Sequence, residues 1–358
     1  MSFVETNQER CQNCGGVKEF DAVVSAIVCR NCGGRRAVER KAAKRQSLEV
    51  AIRGQAQDKK WTSEVEVMRC NSCGATEIFR KGNISDVCPF CHSVHIDRPD
   101  EGKGNPPGGI IPFKISREQA FEAIDKKVKS NKWASRAFKD TFRVDTIKGL
   151  YTPVYCFDSK VEGGYSARVG ETFQVRKNIN GQWHTVNEVR WRTVNGRVNQ
   201  VFEDILIEAG NKVSTYTLRE LEPYNVKGAL AFDISFLKGF SASCATKEIQ
   251  QGFNQAKAVM DGRIRELIKR LNNAALIQDI QINVRHNNTQ FKYLLMPIYV
   301  ATFNHKGKAQ NLFVNGESGK VVGRLPKGSK KVAGAIIGGA LLAAAGVLIY
   351  LFASGILG

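Results

Sequence analysis

The chain has 358 residues, enough for two or three structural units and at least one hydrophobic core. It is 42% hydrophobic and 24% charged, as globular proteins are, but its formal net charge of +19 favours acidic partners such as nucleic acid or anionic lipid headgroups, unless the cations merely solvate the surface. Ten cysteines could suggest a secreted disulfide scaffold, but the polar start, MSFVETNQER, without an apolar leader argues against one, and the expectation is thiols that stay free or bind metal in a reducing compartment.

Residues 1–34 hold Cys11-x-x-Cys14, a 14-residue gap, and Cys29-x-x-Cys32. This is the pattern of a zinc ribbon, because each C-x-x-C turn sets two sulfurs on one side of a tetrahedron and the gap accommodates a returning hairpin. Phe20, Val23, Val24, Ile27 and Val28 are candidates to line that hairpin. Gly15 and Gly33, directly after the second cysteine of each pair, permit the tight turn that aims amides at sulfur. Residues 35–60 are basic and helix-permissive, with Arg35, Arg36, Arg40, Lys41, Lys44 and Arg45 as candidate phosphate contacts or a solvated connector. Residues 61–99 repeat the unit as Cys70, Cys73, Cys88 and Cys91, with Ile78, Phe79, Ile84 and Val87 as its hairpin lining. The expected cofactor is Zn²⁺, two per chain. Four thiolates leave no open coordination position, so both sites are expected to be structural. His92 and His95 read as bystanders.

Residues 100–109, DEGKGNPPGG, read as a linker. An α+β body with antiparallel sheet is expected over 110–328. Ile110–Ile115 reads as a strand. Ser116 and Gln119 form a capping box before a helix carrying Ala120, Phe121, Ile124 and Val128. Residues 150–207 read as antiparallel strands, with hairpin turns at Asn180-Gly181 and Asn195-Gly196. Residues 246–271 read as a helix with Ile249, Phe253, Ile264, Leu267, Ile268 and Leu271 on one side. Strands return over 281–323, broken at Asn287-Asn288, Lys306-Gly307 and Asn315-Gly316. LYTPVY at 150–155 echoes LLMPIY at 294–299, which suggests a duplicated unit. Cys156 and Cys244 stand alone in apolar stretches and read as buried small hydrophobes.

From Val332 to Leu357 the chain carries no charge and is long enough, as a helix, to cross a bilayer. Arg324, Lys327, Lys330 and Lys331 precede it. The expectation is a tail-anchored, single-pass protein of the cell membrane with the bulk of the chain in the cytoplasm. Gly334 and Gly338 form a G-x-x-x-G, a candidate homodimer face.

No phosphate-binding loop, H-E-x-x-H, G-x-S-x-G or G-x-G-x-x-G occurs, so no catalytic residue is assigned. The two cysteine quartets, IIPFKI at 110–115, GLYTPVYCFD at 149–158 and the segment at 292–326 with its VNGESGKVVG together resemble a group of bacterial transcription-factor-IIB-type zinc-ribbon proteins, some labelled primosomal-helicase-like. That resemblance implies zinc binding and often a C-terminal membrane segment, and it supplies no catalytic residues. The helicase label conflicts with the missing phosphate-binding loop. The resulting expectation is a zinc-stabilised, membrane-tethered binding or scaffold protein with a protein partner. Two alternatives remain: a nucleic-acid-binding protein acting through the ribbons and the 35–45 basic run, or an enzyme with an unrecognised site in the body.

Overall fold

The computed structural model describes residues 9–54, 65–72, 74, 76–80, 93, 96–97, 106–211 and 213–326. Its first unit is a four-stranded antiparallel sheet: β1 (Glu9–Arg10), β2 (Val17–Asp21), β3 (Ala26–Cys29) and β4 (Arg35–Ala37), in that order. Phe20 and Ile27 are cross-strand partners on its buried face. Val23, at 65% exposure, and Val24 lie instead in the turn beyond the strands, where Asp21 Oδ1 accepts from both of their amides.

The basic connector is not a free helix. Residues 38–45 run across the body in irregular conformation: Ala43 N donates to Ala229 O, and Ala231 N donates to Lys41 O. Two short elements follow, β5 (Gln46–Ser47) and α1 (Leu48–Arg53), and α1 buries Leu48 and Ala51. Next come β6 (Val65–Cys70), β7 (Thr76–Arg80) and β8 (Ile96–Asp97), with β6 between β7 and β8.

The body starts at β9 (Gly109–Ile110), two residues long where a longer strand was expected. The capping box forms as read: Ser116 and Gln119 exchange hydrogen bonds at the start of α2 (Arg117–Ser130). Ala120, Ile124 and Val128 are buried on it, whereas Phe121 is exposed. A short α3 (Arg136–Thr141) follows. The organising element comes next, a hairpin of β10 (Thr146–Ile179) and β11 (Gln182–Glu208). It turns at Asn180-Gly181, where both residues have positive φ (55° and 83°) as a type I′ turn requires. Asn195-Gly196 is not a turn. It lies within β11 opposite Ser166 and Tyr165, and a Cβ at Gly196 would come within 2.6 Å of the Tyr165 ring. The glycine there makes room for an aromatic ring and does not reverse the chain.

Then follow α4 (Thr215–Leu221), β12 (Leu230–Ala231), β13 (Ser241–Ser243), α5 (Ile249–Leu271), β14 (Leu276–His305), β15 (Lys308–Asn315) and β16 (Val321–Val322). The expected break at Asn287-Asn288 is a local bulge inside β14, with Asn288 at φ 50°. Lys306-Gly307 is a true turn, at φ 53° and 76°. β14 pairs with β10 almost end to end, and β15 and β16 extend the sheet. The two echoing segments meet directly: Leu150 pairs with Ile298, and Val154 with Leu294. β7 joins through β13, with Ile78 opposite Ala242, so the second cysteine segment is sewn into the body sheet.

Strands account for 47% of the structure and helices for 23%, so the expected α+β class is corrected to mostly β, built on one curled sheet. The physical reason is strand length. Three strands of 34, 27 and 30 residues carry the body, and the helices only cover their faces. One core layer lies under α5, which buries Phe253, Met260, Ile264 and Ile268 against the sheet, while Leu271 is 65% exposed beyond it. At the other end Phe113 stacks on Phe240 at 4.1 Å and tilts against Tyr299 at 4.8 Å.

No helix among the described residues is long and apolar enough to cross a membrane. The span expected at 332–357, with Gly334 and Gly338, lies outside those residues. Among the described residues the expectations of a single-pass tail anchor, a cell-membrane location and a membrane partner find no helix to carry them, and they are withdrawn.

Candidate metal centre

The first cysteine unit converges as its spacing demands. Cys11 and Cys14 sit on the turn between β1 and β2; Cys29 ends β3 and Cys32 lies in the turn to β4. Their four sulfurs all lie within 4.8 Å of one another. Cys11 Sγ is 3.7 Å from Cys32 Sγ, and Cys14 Sγ is 3.5 Å from Cys29 Sγ. A tetrahedral ion with metal–sulfur bonds near 2.3 Å has sulfur–sulfur edges of about 3.8 Å. The cluster therefore fits one such ion.

Each turn is built the same way. Gly15 N donates to Cys11 O at 2.8 Å, and Gly33 N to Cys29 O at 3.0 Å. Both glycines have φ near 70°, which side-chain-bearing residues rarely adopt. The next residue matters for a different reason. A Cβ on Gly16 would lie 2.6 Å from Asn31 Cβ and 3.1 Å from Cys29 Sγ, inside the cluster.

The sulfurs do not behave alike. The Asn13 amide, with that of Cys14, holds the Cys11 thiol below its ordinary pKa. The Cys32 amide pulls Cys29 down to about 6. The Gly34 amide also pulls Cys32 down, but the three neighbouring sulfurs outweigh it and push that thiol up to about 11. Once some sulfurs carry charge, the last resists ionising, a conflict that a cation at the centre relieves. Cys11 and Cys29 are buried and Cys14 and Cys32 exposed, so the site sits at the surface with one side sealed.

That sealed side is docked on the body. Phe20 N donates to Lys238 O, and the Phe20 ring meets Phe236 edge-on at 5.2 Å.

Of the second quartet, Cys70 is described and buried; Cys73, Cys88 and Cys91 lie outside the described residues, as do His92 and His95. Gly74 N donates to Cys70 O at 2.7 Å with φ 68°, the same turn geometry as at Gly15 and Gly33.

The basic run does not converge on one face. Arg45 bridges Asp158 and Asp204, Lys41 pairs with Glu39, Arg40 donates to Ser25 O, and Arg36 reaches Ser235 Oγ. Cys156 and Cys244 are both buried, and burial pushes the Cys156 thiol well up. Cys156 is not a purely apolar neighbour, since its sulfur lies 3.5 Å from Asp204 Oδ1. Sequence reading also missed Glu208. This carboxylate is 2% exposed, accepts from Gly210 N at 2.9 Å, and lies 3.3 Å from Lys247 Nζ. Burial pushes its pKa up to about 7 despite the lysine. Nothing local in the sequence signals it, because Lys247 arrives from another strand–helix connection.

No protein-family profile matches the chain. A protein of Bacillus subtilis (strain 168) named uncharacterized protein YdjG is 27% identical over 246 residues, which span 66% of this chain and 70% of that protein. No solved structure matches.

Proposed function

We propose that this chain is a zinc-stabilised binding or scaffold protein of the transcription-factor-IIB-type zinc-ribbon group, with two structural Cys₄ sites. The observation that carries it is the sulfur tetrahedron of Cys11, Cys14, Cys29 and Cys32, with edges of 3.5 and 3.7 Å. Zinc is the metal this donor set suits in a closed site, and closure argues against catalysis at the metal. The same turn at Cys70 and Gly74 supports a second ion held by Cys70, Cys73, Cys88 and Cys91. Such a site supplies folding energy to a small sheet that buries little of its own. Phe20 passes that rigidity to the body.

The nucleic-acid alternative draws on the 35–45 run, and four of those cations already have partners within the fold. The reading favoured is therefore binding of another protein by the body.

Metal analysis of the full chain, purified without chelator and kept reduced, is expected to give two zinc per chain. Iron in place of zinc, or one ion or none, would overturn the two-zinc assignment.

A further inference from the structure

Between α5 and β11 lies an open groove of about 680 Å³. Its floor is apolar, formed by Val201, Val259 and Leu267, and Val201 is 63% exposed within it. Its rim is cationic. Arg263 and Arg270 stand on α5, and Arg219 faces them from α4. Among the described residues, none of these three guanidinium groups makes a hydrogen bond or a close ion pair, while the nearby Glu222 carboxylate feels the charge of Arg263 and Arg219 without contacting either. The groove's one carboxylate, Glu266, is already paired with Lys269 at 3.0 Å.

A glycine in the middle of α5 gives the second observation. Glycine inside a helix is unfavourable relative to alanine, so it needs a reason. Gly252, ten residues earlier on the same helix, has one: a Cβ there would lie 2.6 Å from the Tyr155 ring. Gly262 has none within the fold. A Cβ there would meet no atom within 4 Å, and the residue is an exposed part of the groove wall. The missing side chain leaves a notch between the arginines.

We infer that this groove docks an acidic amphipathic segment of a partner protein, with carboxylates on Arg219, Arg263 and Arg270 and an apolar side chain over Gly262. Arginine forks take carboxylates in paired hydrogen bonds. The apolar floor distinguishes this surface from a phosphate track, which needs cations alone. Its openness distinguishes it from a small-molecule pocket, which encloses most of its ligand. The inference rests on the binding-protein reading above and names the chemistry of its partner.

The test uses the full, zinc-loaded chain and a fluorescein-labelled synthetic peptide with Glu at every fourth position and Leu on the adjoining helical face. A Gln-for-Glu peptide, duplex DNA and phosphatidylglycerol vesicles serve as competitors. The Glu peptide is expected to bind, and each of Arg219→Gln, Arg263→Gln and Arg270→Gln to weaken it roughly 2- to 5-fold. Gly262→Ala is expected to raise the melting temperature by about 2 °C while weakening the peptide, and Gly262→Leu to weaken it about tenfold or more with the fold intact. A variant that stabilises the helix yet loses binding separates the groove from folding. No binding of the Glu peptide, equal binding of the Gln peptide, displacement by DNA or vesicles, or indifference to Gly262→Leu would each overturn the proposal. The zinc count is measured independently, so the groove can fail while the metal assignment stands.

Discussion

Arg45 Nε lies 2.6 Å from Asp158 Oδ2, joining the connector to the first strand of the central hairpin. The same guanidinium reaches Asp204 Oδ1 at 2.9 Å, and Asp204 N donates to Asp158 Oδ1 at 2.7 Å. Asp204 sits at φ 52°, at the irregularity where β10 and β11 shift register. One cation thus holds two part-buried carboxylates together. Burial already raises the Asp158 pKa, with the Asp204 amide and Arg45 opposing it.

Removing Arg45 leaves both carboxylates facing each other without their counter-charge. Arg45→Ala is expected to lower stability by about 2–4 kcal/mol at pH 7, and Arg45→Lys to recover only part of that, because lysine cannot fork to two carboxylates. The loss shrinks on acidification. With its folded pKa raised further in the variant, Asp158 takes up a proton more readily in the folded chain than in the unfolded one. Urea midpoints at pH 7 and pH 5 measure this; equal deficits at both would show that the ion pair is not the cause.

Metal removal is expected to act on the first sheet before the body. A chelator strong enough to strip the site, or Cys29→Ser, should release one ion and loosen residues 9–37 while the long sheet persists. The ribbon has little apolar core beyond Phe20 and Ile27, whereas β10, β11 and β14 bury many side chains. Hydrogen exchange read peptide by peptide measures the difference. Simultaneous loss of protection across both regions would contradict it.

How much of this was legible in the sequence depended on the range of the chemistry. The Cys11–Cys32 site was readable because a tetrahedral ion forces its ligands into fixed local spacing. The capping box at Ser116 and Gln119 and the Asn180-Gly181 turn were readable for the same reason, each being complete within four residues. Asn195-Gly196 carries the same local signal as Asn180-Gly181 yet lies in mid-strand. What decides there is the Tyr165 ring on the partner strand, which no window around the glycine contains. Arg45 read as a phosphate contact because its partner Asp204 lies 159 residues along the chain. The mostly β class was hidden because turn signals inside β11 and β14 cut two long strands into apparent short ones.

Gly16 tests the cluster geometry without replacing a ligand. Gly16→Val would press methyl groups against Cys29 Sγ and Asn31 Cβ, both closer than normal contact to a Cβ at that position. The expected result is loss of one metal ion per chain with all eight quartet cysteines still present. Gly34→Ala should be milder, since its Cβ would lie 3.4 Å from Cys32 Sγ, an ordinary contact. Metal stoichiometry after dialysis separates the two, and full retention in Gly16→Val would refute the tight packing described for that turn.

Glu208 gives the chain a pH dependence with a definite sign. Its folded pKa is about 7, raised above its ordinary value first by burial. The folded state therefore binds this proton more tightly than the unfolded state does. Stability from this group is fully present below the unfolded pKa and declines as pH rises through about 7, by at most on the order of 3 kcal/mol. Above that, the carboxylate must stay charged in a site where only Lys247 and the Gly210 amide compensate it. Glu208→Gln keeps a hydrogen-bonding side chain of the same shape and removes the titration. The wild-type chain should lose stability between about pH 5 and pH 8, most of it below pH 7, and the variant should lose less, so that the two stability curves lie together at low pH and separate as pH rises. Lys247→Met should do the opposite, deepening the loss and carrying it to higher pH, because the carboxylate then ionises without its cation. Urea midpoints across that pH range measure all three; parallel curves for wild type and Glu208→Gln would show that this carboxylate does not titrate there.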